Sequence, residues 1–254
     1  MTSVFEGYAR FYDDFYKQKE YTKEVEYVLA LVQNAGRKRP ASVLDIGCGT
    51  ARHLIPFLKQ GLRATGFDLS STMIASAKKN LEHEKLSAAI QVGDARTYRD
   101  GNKYDLVVSM FAVLGYLNTN DDFLKGLETA RAHMHENSTF VFDVWFGPGV
   151  LHQKPETRVQ EFTSDGLKTI RIVRPTVDVG NQTVSVEYDI MKLDGKTICE
   201  EAHERHTMRY FFLQEIRLFL KNAGLELIGA YPFMETEKIP TENDWNIAFI
   251  AKTI

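Results

Sequence analysis

The chain has 254 residues, of which 44% are hydrophobic and 26% are charged, and this composition is typical of a globular protein. Its formal net charge of -3 provides no basic field that would hold a polyanion, so nucleic acid is not expected as a partner. No apolar run reaches the roughly 18 residues of a membrane span, and the N-terminus lacks the layout of a signal peptide. We therefore expect a cytoplasmic protein without a membrane partner. Cys48 and Cys199 lie far apart without a CxxC motif, which predicts reduced thiols and no metal site.

The N-terminal segment carries aromatic residues at helical spacing, which predicts a stripe along one face of a helix. The stripe consists of Phe5, Tyr8, Phe11, Tyr12 and Phe15. It either belongs to the core or forms a lid over a ligand, and aromatic faces suit a cationic ligand. A second helix is predicted from Lys23 to Asn34, ending at Gly36.

From residue 42 onward the pattern alternates between strands and helices. The predicted strands are SVLDIG, RATGFDL, AIQVGDA, YDLVVSM and STFVFDVW, and the predicted helices are ARHLIPFLKQG, SSTMIASAKKNLEHEKL and DDFLKGLETARAHM. This rhythm implies parallel pairing with right-handed crossovers.

The pattern changes after about residue 150. The stretch from Arg158 to Phe212 is rich in β-branched residues and contains the turn signals SDG, VGNQ and LDGK, which predict an antiparallel meander. A helix and two strands follow it. We therefore divide the chain into an α/β core with N-terminal helices (1–150), an antiparallel insertion that covers the substrate (151–212) and a C-terminal part that completes the core sheet (213–254).

The sharpest motif is VLDIGCGTARHL, residues 43–54. Gly47 and Gly49 have no side chain that would keep a ligand from the amides at a helix N-terminus. Arg52 replaces the third glycine of the dinucleotide motif GxGxxG. Asp45, just before the turn, repels a pyrophosphate and favours a cation. A plain tight turn is the alternative interpretation.

Two further acids end successive strands. Asp68 can accept hydrogen bonds from both hydroxyls of a ribose, a position that suits NAD and adenosyl cofactors alike. Asp94 can accept the adenine amino group, while the Ala95 amide donates to the ring. Helix capping or solvation explains either acid alone, but the set favours a nucleoside site.

The strings DIGCGTARH, GFDLSSTMI, GDA and YDLVVSMF, in this order, resemble the motifs of class I S-adenosylmethionine-dependent methyltransferases over about residues 40–145. The resemblance implies a Rossmann-like α/β fold, with a mainly parallel seven-stranded sheet flanked by helices, plus the antiparallel β insertion. It also implies S-adenosylmethionine as cofactor. The cofactor-binding residues that we expect are Tyr12, Tyr21, Asp45, Gly47, Gly49, Thr50, Arg52, His53, Asp68, Leu69, Met73, Asp94, Ala95 and Met110.

The resemblance assigns a part of the cofactor to most of these residues. The glycine turn with Thr50 lies along the methionine part, Asp45 faces its amino end, and Met110 lies near the sulfonium. Leu69 and Met73 pack on the adenine. Arg52 and His53 reach the cofactor carboxylate, although packing on the sheet is an equal alternative for His53.

A narrower resemblance concerns the methyl acceptor. MFAVLGYL, FVFDVWF, the insertion and HERHTMRYF resemble the methyltransferases that dimethylate the amine of nucleotide-linked amino sugars, and more loosely the glycine and sarcosine N-methyltransferases. Those sugar enzymes commonly carry His where this chain has Tyr116. Strand alternation places Glu204 and His206 on one face and Arg209 on the other. The catalytic candidates are Tyr116, Asp143, Glu204 and His206. Further acceptor-side candidates are Tyr12, Tyr21, Trp145 and Arg209.

Four functions remain open from the sequence. The first is N-methylation of a small-molecule amine, and the second is O- or C-methylation of a small metabolite on the same fold. The third is an NAD-dependent oxidoreductase, which Arg52 and the lack of a Tyr-x-x-x-Lys helix disfavour. The fourth is a cofactor-binding protein without catalysis. A monomer and a homodimer are equally compatible with the sequence.

Overall fold

A computed structural model describes residues 11–12, 15–164 and 166–254. The helices are α1 (Tyr21–Asn34), α2 (Leu54–Lys59), α3 (Ser71–His83), α4 (Asn120–Ala132), α5 (Gly147–Gln153) and α6 (Leu213–Asn222). The strands are β1 (Ser42–Ile46), β2 (Arg63–Asp68), β3 (Ala89–Val92), β4 (Tyr104–Ser109), β5 (Met134–Phe146), β6 (Arg158–Ser164), β7 (Leu167–Asp178), β8 (Thr183–Asp194), β9 (Thr197–Phe211), β10 (Leu225–Pro232) and β11 (Asn246–Thr253).

The core is a mainly parallel sheet, as predicted. Within the described residues, seven strands follow the order β3-β2-β1-β4-β5-β11-β10, and β11 runs antiparallel to both of its neighbours. Strand β1 is buried along its whole length, because helices cover both faces of the sheet. One apolar cluster packs α4 and α6 on one face, and a second packs α1, α2 and α3 on the other. The carboxyl ends of β1, β2 and β4 therefore lie side by side at one edge.

The predicted meander is present as four antiparallel strands, β6 to β9. Strand β9 is 15 residues long, and its last two residues join the core by pairing in parallel with β5, Tyr210 with Trp145 and Phe211 with Phe146. The meander is therefore hydrogen-bonded to the same sheet edge at which the core strands end.

Three local features differ from the prediction. Helix α2 begins at Leu54 rather than at Ala51, because Ala51 is left-handed with φ +66° and cannot continue a helix. Helix α5 was not predicted. A 3₁₀ turn, Val113–Tyr116, also follows β4, where no element was predicted.

The described residues of the aromatic stripe contact two different parts of the protein. Phe11 and Phe15 pack with Ile190 of β8, whereas Tyr12 faces the cavity described below. Phe5 and Tyr8 lie outside the described residues. Phe11 and Phe15 thus belong to a buried apolar cluster, whereas the lid interpretation stays a prediction for Tyr12. No helix among the described residues is long and apolar enough to cross a membrane.

Candidate active site

A cavity of about 540 Å³ opens at the carboxyl ends of the core strands. One half is lined by the glycine turn after β1, by Asp68 at the end of β2 and by Met110 after β4. The other half is lined by aromatic side chains of the N-terminal segment, the 3₁₀ turn and the meander, including Tyr12, Tyr116 and Tyr188. The motifs of the core and of the meander therefore meet in one cavity.

The backbone amides of the glycine turn are already occupied. The N–H groups of Gly47 and Cys48 both donate to the Phe67 carbonyl, at 2.9 and 3.0 Å, and that of Gly49 donates to Asp68 at 2.9 Å. These three N–H groups are therefore not available to a ligand, whereas the expected contact of the amides at the start of α2 with a ligand stays a prediction. A pyrophosphate is bound by such amides, so their internal use disfavours a dinucleotide here.

The two glycines of the turn are required for different reasons. A Cβ at Gly47 would lie 2.3 Å from Cγ1 of Val113, whereas a Cβ at Gly49 has no atom within 4 Å. Gly47 thus makes room for the 3₁₀ turn, and only Gly49 leaves open space on the cavity side. Both residues have positive φ, which glycine adopts without strain.

Asp45 lies behind the turn and does not line the cavity. Its side chain is buried, and its Oδ2 atom has no hydrogen-bond partner among the described residues. Burial and the neighbouring Asp68 raise the pKa of this carboxyl to about 8. An unsatisfied buried carboxyl favours a positively charged ligand nearby.

Asp68 connects two turns that border the cavity. Its Oδ2 accepts the N–H of Gly49 at 2.9 Å, and its Oδ1 accepts that of Ser70 at 2.8 Å. Burial raises its pKa, while these two bonds oppose the shift. Because each carboxylate oxygen has two lone pairs, both retain capacity for ribose hydroxyls. Leu69 and Met73 line the cavity next to it, Leu69 exposed and Met73 buried.

Asp94 is held by a partner that the sequence interpretation missed. The Arg96 guanidinium binds both of its carboxylate oxygens and keeps the pKa of Asp94 below its usual value. Asp94, Ala95 and Arg96 all line the cavity. An adenine amino group at Asp94 would share this carboxylate with Arg96.

His53 pairs with α1. Its Nε2 lies 2.7 Å from Glu24 Oε2, Lys19 also contacts Glu24, and the Tyr21 ring lies edge-on to the imidazole at 4.9 Å. Burial lowers the pKa of His53 despite the opposing effect of Glu24. His53, Tyr21, Thr50 and Arg52 line the cavity, so their expected contact with the methionine part stays a prediction.

Three of the four catalytic candidates form a hydrogen-bonded chain. The Tyr116 hydroxyl lies 2.8 Å from His206 Nδ1, and His206 Nε2 lies 2.8 Å from Glu204 Oε2. Tyr116 and His206 line the cavity, whereas Glu204 lies behind His206 and does not. Glu204 and His206 share a face of β9, as alternation predicts.

The fourth candidate, Asp143, does not line the cavity. It is fully buried, and its carboxylate accepts the N–H groups of Phe111 and Ala112, at 2.5 and 3.0 Å. Those two residues have positive φ, and they lead into the 3₁₀ turn that carries Tyr116. Asp143 therefore has no access to a substrate in the cavity. Its carboxylate instead holds the backbone that leads into the 3₁₀ turn.

Two acceptor-side candidates have different outcomes. Trp145 lines the cavity, whereas Arg209 pairs with Glu215 and donates to Asn120 on the other face of β9. Sequence reasoning also missed the cavity residues Tyr16, Asn118, Tyr188 and Asn246. In the structure, Tyr188 lies opposite Glu204 in the register of β8 with β9.

The cofactor half fits a cationic nucleoside. It offers a carboxylate for a ribose and a second carboxylate at the end of β3. It also has an unsatisfied buried carboxyl behind a turn in which the amides of Gly47, Cys48 and Gly49 are bonded internally. S-adenosylmethionine carries a ribose, an adenine and a positive sulfonium, so these residues suit it.

Comparisons with known proteins agree with this geometry. Residues 43–137 match the family model of a methyltransferase domain. Residues 43–137 therefore form the methyltransferase domain of an S-adenosylmethionine-dependent enzyme, and the fold of the chain is that of class I methyltransferases. The chain is similar to a dTDP-3-amino-3,4,6-trideoxy-α-D-glucopyranose N,N-dimethyltransferase of Streptomyces venezuelae, with 29% identity over 228 residues that cover 87% of this chain and 90% of the relative.

Solved structures share the fold. Streptomyces venezuelae DesVI aligns with a TM-score of 0.81 at 24% identity, covering 97% of this chain and 98% of that one. S-adenosylmethionine-bound CalS10 of Micromonospora echinaspora, an amino pentose methyltransferase, aligns with a TM-score of 0.77 at 21% identity, covering 100% and 99%. The predicted fold class is confirmed.

Proposed function

We propose that the protein methylates the amino group of a nucleotide-linked amino sugar. The observation that carries this proposal is the chemistry of the acceptor half of the cavity. The wall of this half combines aromatic rings with hydrogen-bond acceptors. In addition, the chain is similar to an amino-sugar N,N-dimethyltransferase over 87% of its length.

Two side-chain amide oxygens in the acceptor half of the cavity have no hydrogen-bond donor in the described part of the chain. Oδ1 of Asn118 and Oδ1 of Asn246 are buried and have no hydrogen-bond partner among the described residues. The orientation of the Asn118 amide is fixed, because its nitrogen donates to the Thr207 carbonyl at 3.1 Å. Unsatisfied buried acceptors favour a ligand that brings N–H or O–H groups, as an amino sugar does.

Aromatic side chains supply the remaining wall. Tyr12, Tyr16, Trp145 and Tyr188 line the cavity, and their faces attract a cation and exclude water. When bound, S-adenosylmethionine supplies a methyl group on a positively charged sulfur, which an aligned amine nitrogen displaces in line. The chain's own contribution is to orient the amine, remove its proton and keep the site dry.

The test compares two sugars that differ in one group. The purified protein is incubated with S-adenosylmethionine and either dTDP-3-amino-3,4,6-trideoxy-α-D-glucopyranose or its 3-hydroxy analogue, and products are analysed by mass spectrometry. We expect one or two added methyl groups on the amine and none on the hydroxyl analogue. Methylation of the hydroxyl analogue at a similar rate would instead support the O-methyltransferase alternative.

A further inference from the structure

We propose that Tyr116, His206 and Glu204 form a relay that removes the proton of the acceptor amine, with Tyr116 in contact with the substrate. The inference rests on the proposed amine acceptor and adds a route for its proton. It assigns one catalytic residue, Tyr116, and two positioning residues behind it.

The hydrogen positions in the relay follow from its acceptor end. The Glu204 carboxylate can only accept, so His206 Nε2 at 2.8 Å from it must carry the hydrogen. In the neutral imidazole, Nδ1 then holds a lone pair, and the Tyr116 hydroxyl at 2.8 Å must donate to it. The chain thus points from the cavity toward Glu204, in the direction in which a proton has to leave.

Tyr116 cannot act as a phenolate base. Burial, followed by the nearby Tyr188, raises its pKa well above the ordinary value, so the phenol stays protonated. It can pass a proton on, however. The ammonium group of the substrate gives a proton to the Tyr116 oxygen as the phenolic hydrogen moves to His206 Nδ1. The N–H electron pair stays on the substrate nitrogen, and His206 becomes an imidazolium whose charge Glu204 balances.

The fold holds the three residues in register. Gly115 lets the 3₁₀ turn approach β9, since a Cβ there would lie 3.2 Å from the Arg209 carbonyl oxygen. His206 is buried, with 2% of its surface exposed, and the Tyr188 ring lies edge-on to it at 5.1 Å. The side chain of Glu204 is 10% exposed, against 3% for that of His206, so the acceptor end of the relay is the more exposed of the two.

Other ionisable groups surround the relay and belong to its pH dependence. They are Tyr188 of β8 beside His206, Asp68 of β2 and Tyr16 near Tyr116, and Arg171 of β7 near Tyr188. The relay itself consists of the two hydrogen bonds that join Tyr116 to His206 and His206 to Glu204.

The test measures single-turnover methylation of dTDP-3-amino-3,4,6-trideoxy-α-D-glucopyranose across the titration range of its amine. The variants are Tyr116→Phe, His206→Gln and Glu204→Gln. His203→Gln is the matched control, because His203 pairs with Asp189 at 2.6 Å on the same strand but outside the cavity. Affinity for S-adenosylhomocysteine is measured by calorimetry for each protein.

We expect Tyr116→Phe and His206→Gln to slow transfer by about 10²-fold at neutral pH, as loss of a general base does. The deficit should shrink as the pH rises, because the amine then arrives already deprotonated. Glu204→Gln, which keeps the hydrogen bond but not the charge, should lie between these variants and the wild type. S-adenosylhomocysteine affinity and the His203→Gln control should remain at wild-type values.

Two results would overturn the relay. A rate deficit that is the same at every pH would mean that the residues only orient the substrate, and a parallel loss of S-adenosylhomocysteine affinity would mean that they only support the fold. If the wild type leaves the amine unmethylated, the proposed function fails and the relay with it. These failures are distinguishable because the first two require an active wild type.

Discussion

Asp68 shows how one side chain serves both the architecture and the ligand. Its two oxygens fasten the glycine turn to the start of α3, and they still border the cavity. A substitution at this position therefore acts on the cofactor directly and through the turn.

Asp68→Ala should weaken S-adenosylhomocysteine binding by about 10- to 100-fold, since a hydrogen bond to a charged group contributes roughly 1.5 to 3 kcal/mol. Calorimetric titration measures it. Asp121→Ala is the control, because Asp121 is an exposed acid that pairs with Lys125 away from the cavity. Unchanged binding in Asp68→Ala would show that the carboxylate holds only the turns.

Sequence reasoning reached some of these residues and missed others for physical reasons. Tyr116, His206 and Glu204 were named because of their motif positions and the strand alternation. Asn118 and Asn246 carry no motif, and only the tertiary fold shows that their oxygens are buried without a partner. Asp143 was misplaced because a sequence cannot tell a carboxylate aimed at a cavity from one aimed at backbone amides.

At the scale of elements, the glycine turn and the 3₁₀ turn are packed as a unit. Val113 fills the space that the missing side chain of Gly47 leaves, and the same turn carries Tyr116 three residues later. The cofactor half and the acceptor half of the cavity are therefore coupled through this contact.

Gly47→Ala should destabilise the protein more than Gly61→Ala does. Both positions have positive φ, which costs alanine about 1 to 2 kcal/mol, but only Gly47 also meets Val113, which adds about 1 to 3 kcal/mol of overpacking. Urea unfolding of both variants measures the difference. Equal losses would mean that Val113 moves aside without cost.

Helices and strands with local sequence signals were predicted, and elements that depend on distant contacts were not. The core strands and the meander were predicted, because their apolar periodicity and turn residues are local signals. Helix α5 and the 3₁₀ turn were not, because they depend on contacts with distant segments. Gly149 in α5, for instance, packs directly against the Asp244 carbonyl.

At the scale of the whole molecule, two buried carboxyls influence how stability depends on pH. Burial raises the pKa of Asp45 to about 8 and that of Asp143 to about 7, from 3.8 in the unfolded chain. Between pH 3.8 and about pH 8, the folded state therefore binds more protons than the unfolded state. Stability consequently falls as the pH rises toward 8.

Without ligand, we expect the contribution of Asp45 to lower the free energy of unfolding by about 1 kcal/mol between about pH 7 and pH 9. This range avoids the opposite effect of His53, whose lowered pKa costs stability only in acid. Urea unfolding of the wild type and of Asp45→Asn measures it, and the variant should show the smaller fall. Identical slopes would exclude Asp45 as the source.

The junction between β9 and β5 has a consequence for how such enzymes diversify. Residues 158–211 leave the core after α5 and rejoin it at the pairs Trp145–Tyr210 and Phe146–Phe211, while the residues expected to bind the cofactor all precede residue 111. Tyr188 and His206 of the acceptor wall are thus encoded by one uninterrupted stretch, whereas Tyr116, Asn118, Trp145 and Asn246 lie outside it. Recombination at its two ends would exchange this part of the acceptor wall and leave the residues expected to bind the cofactor intact.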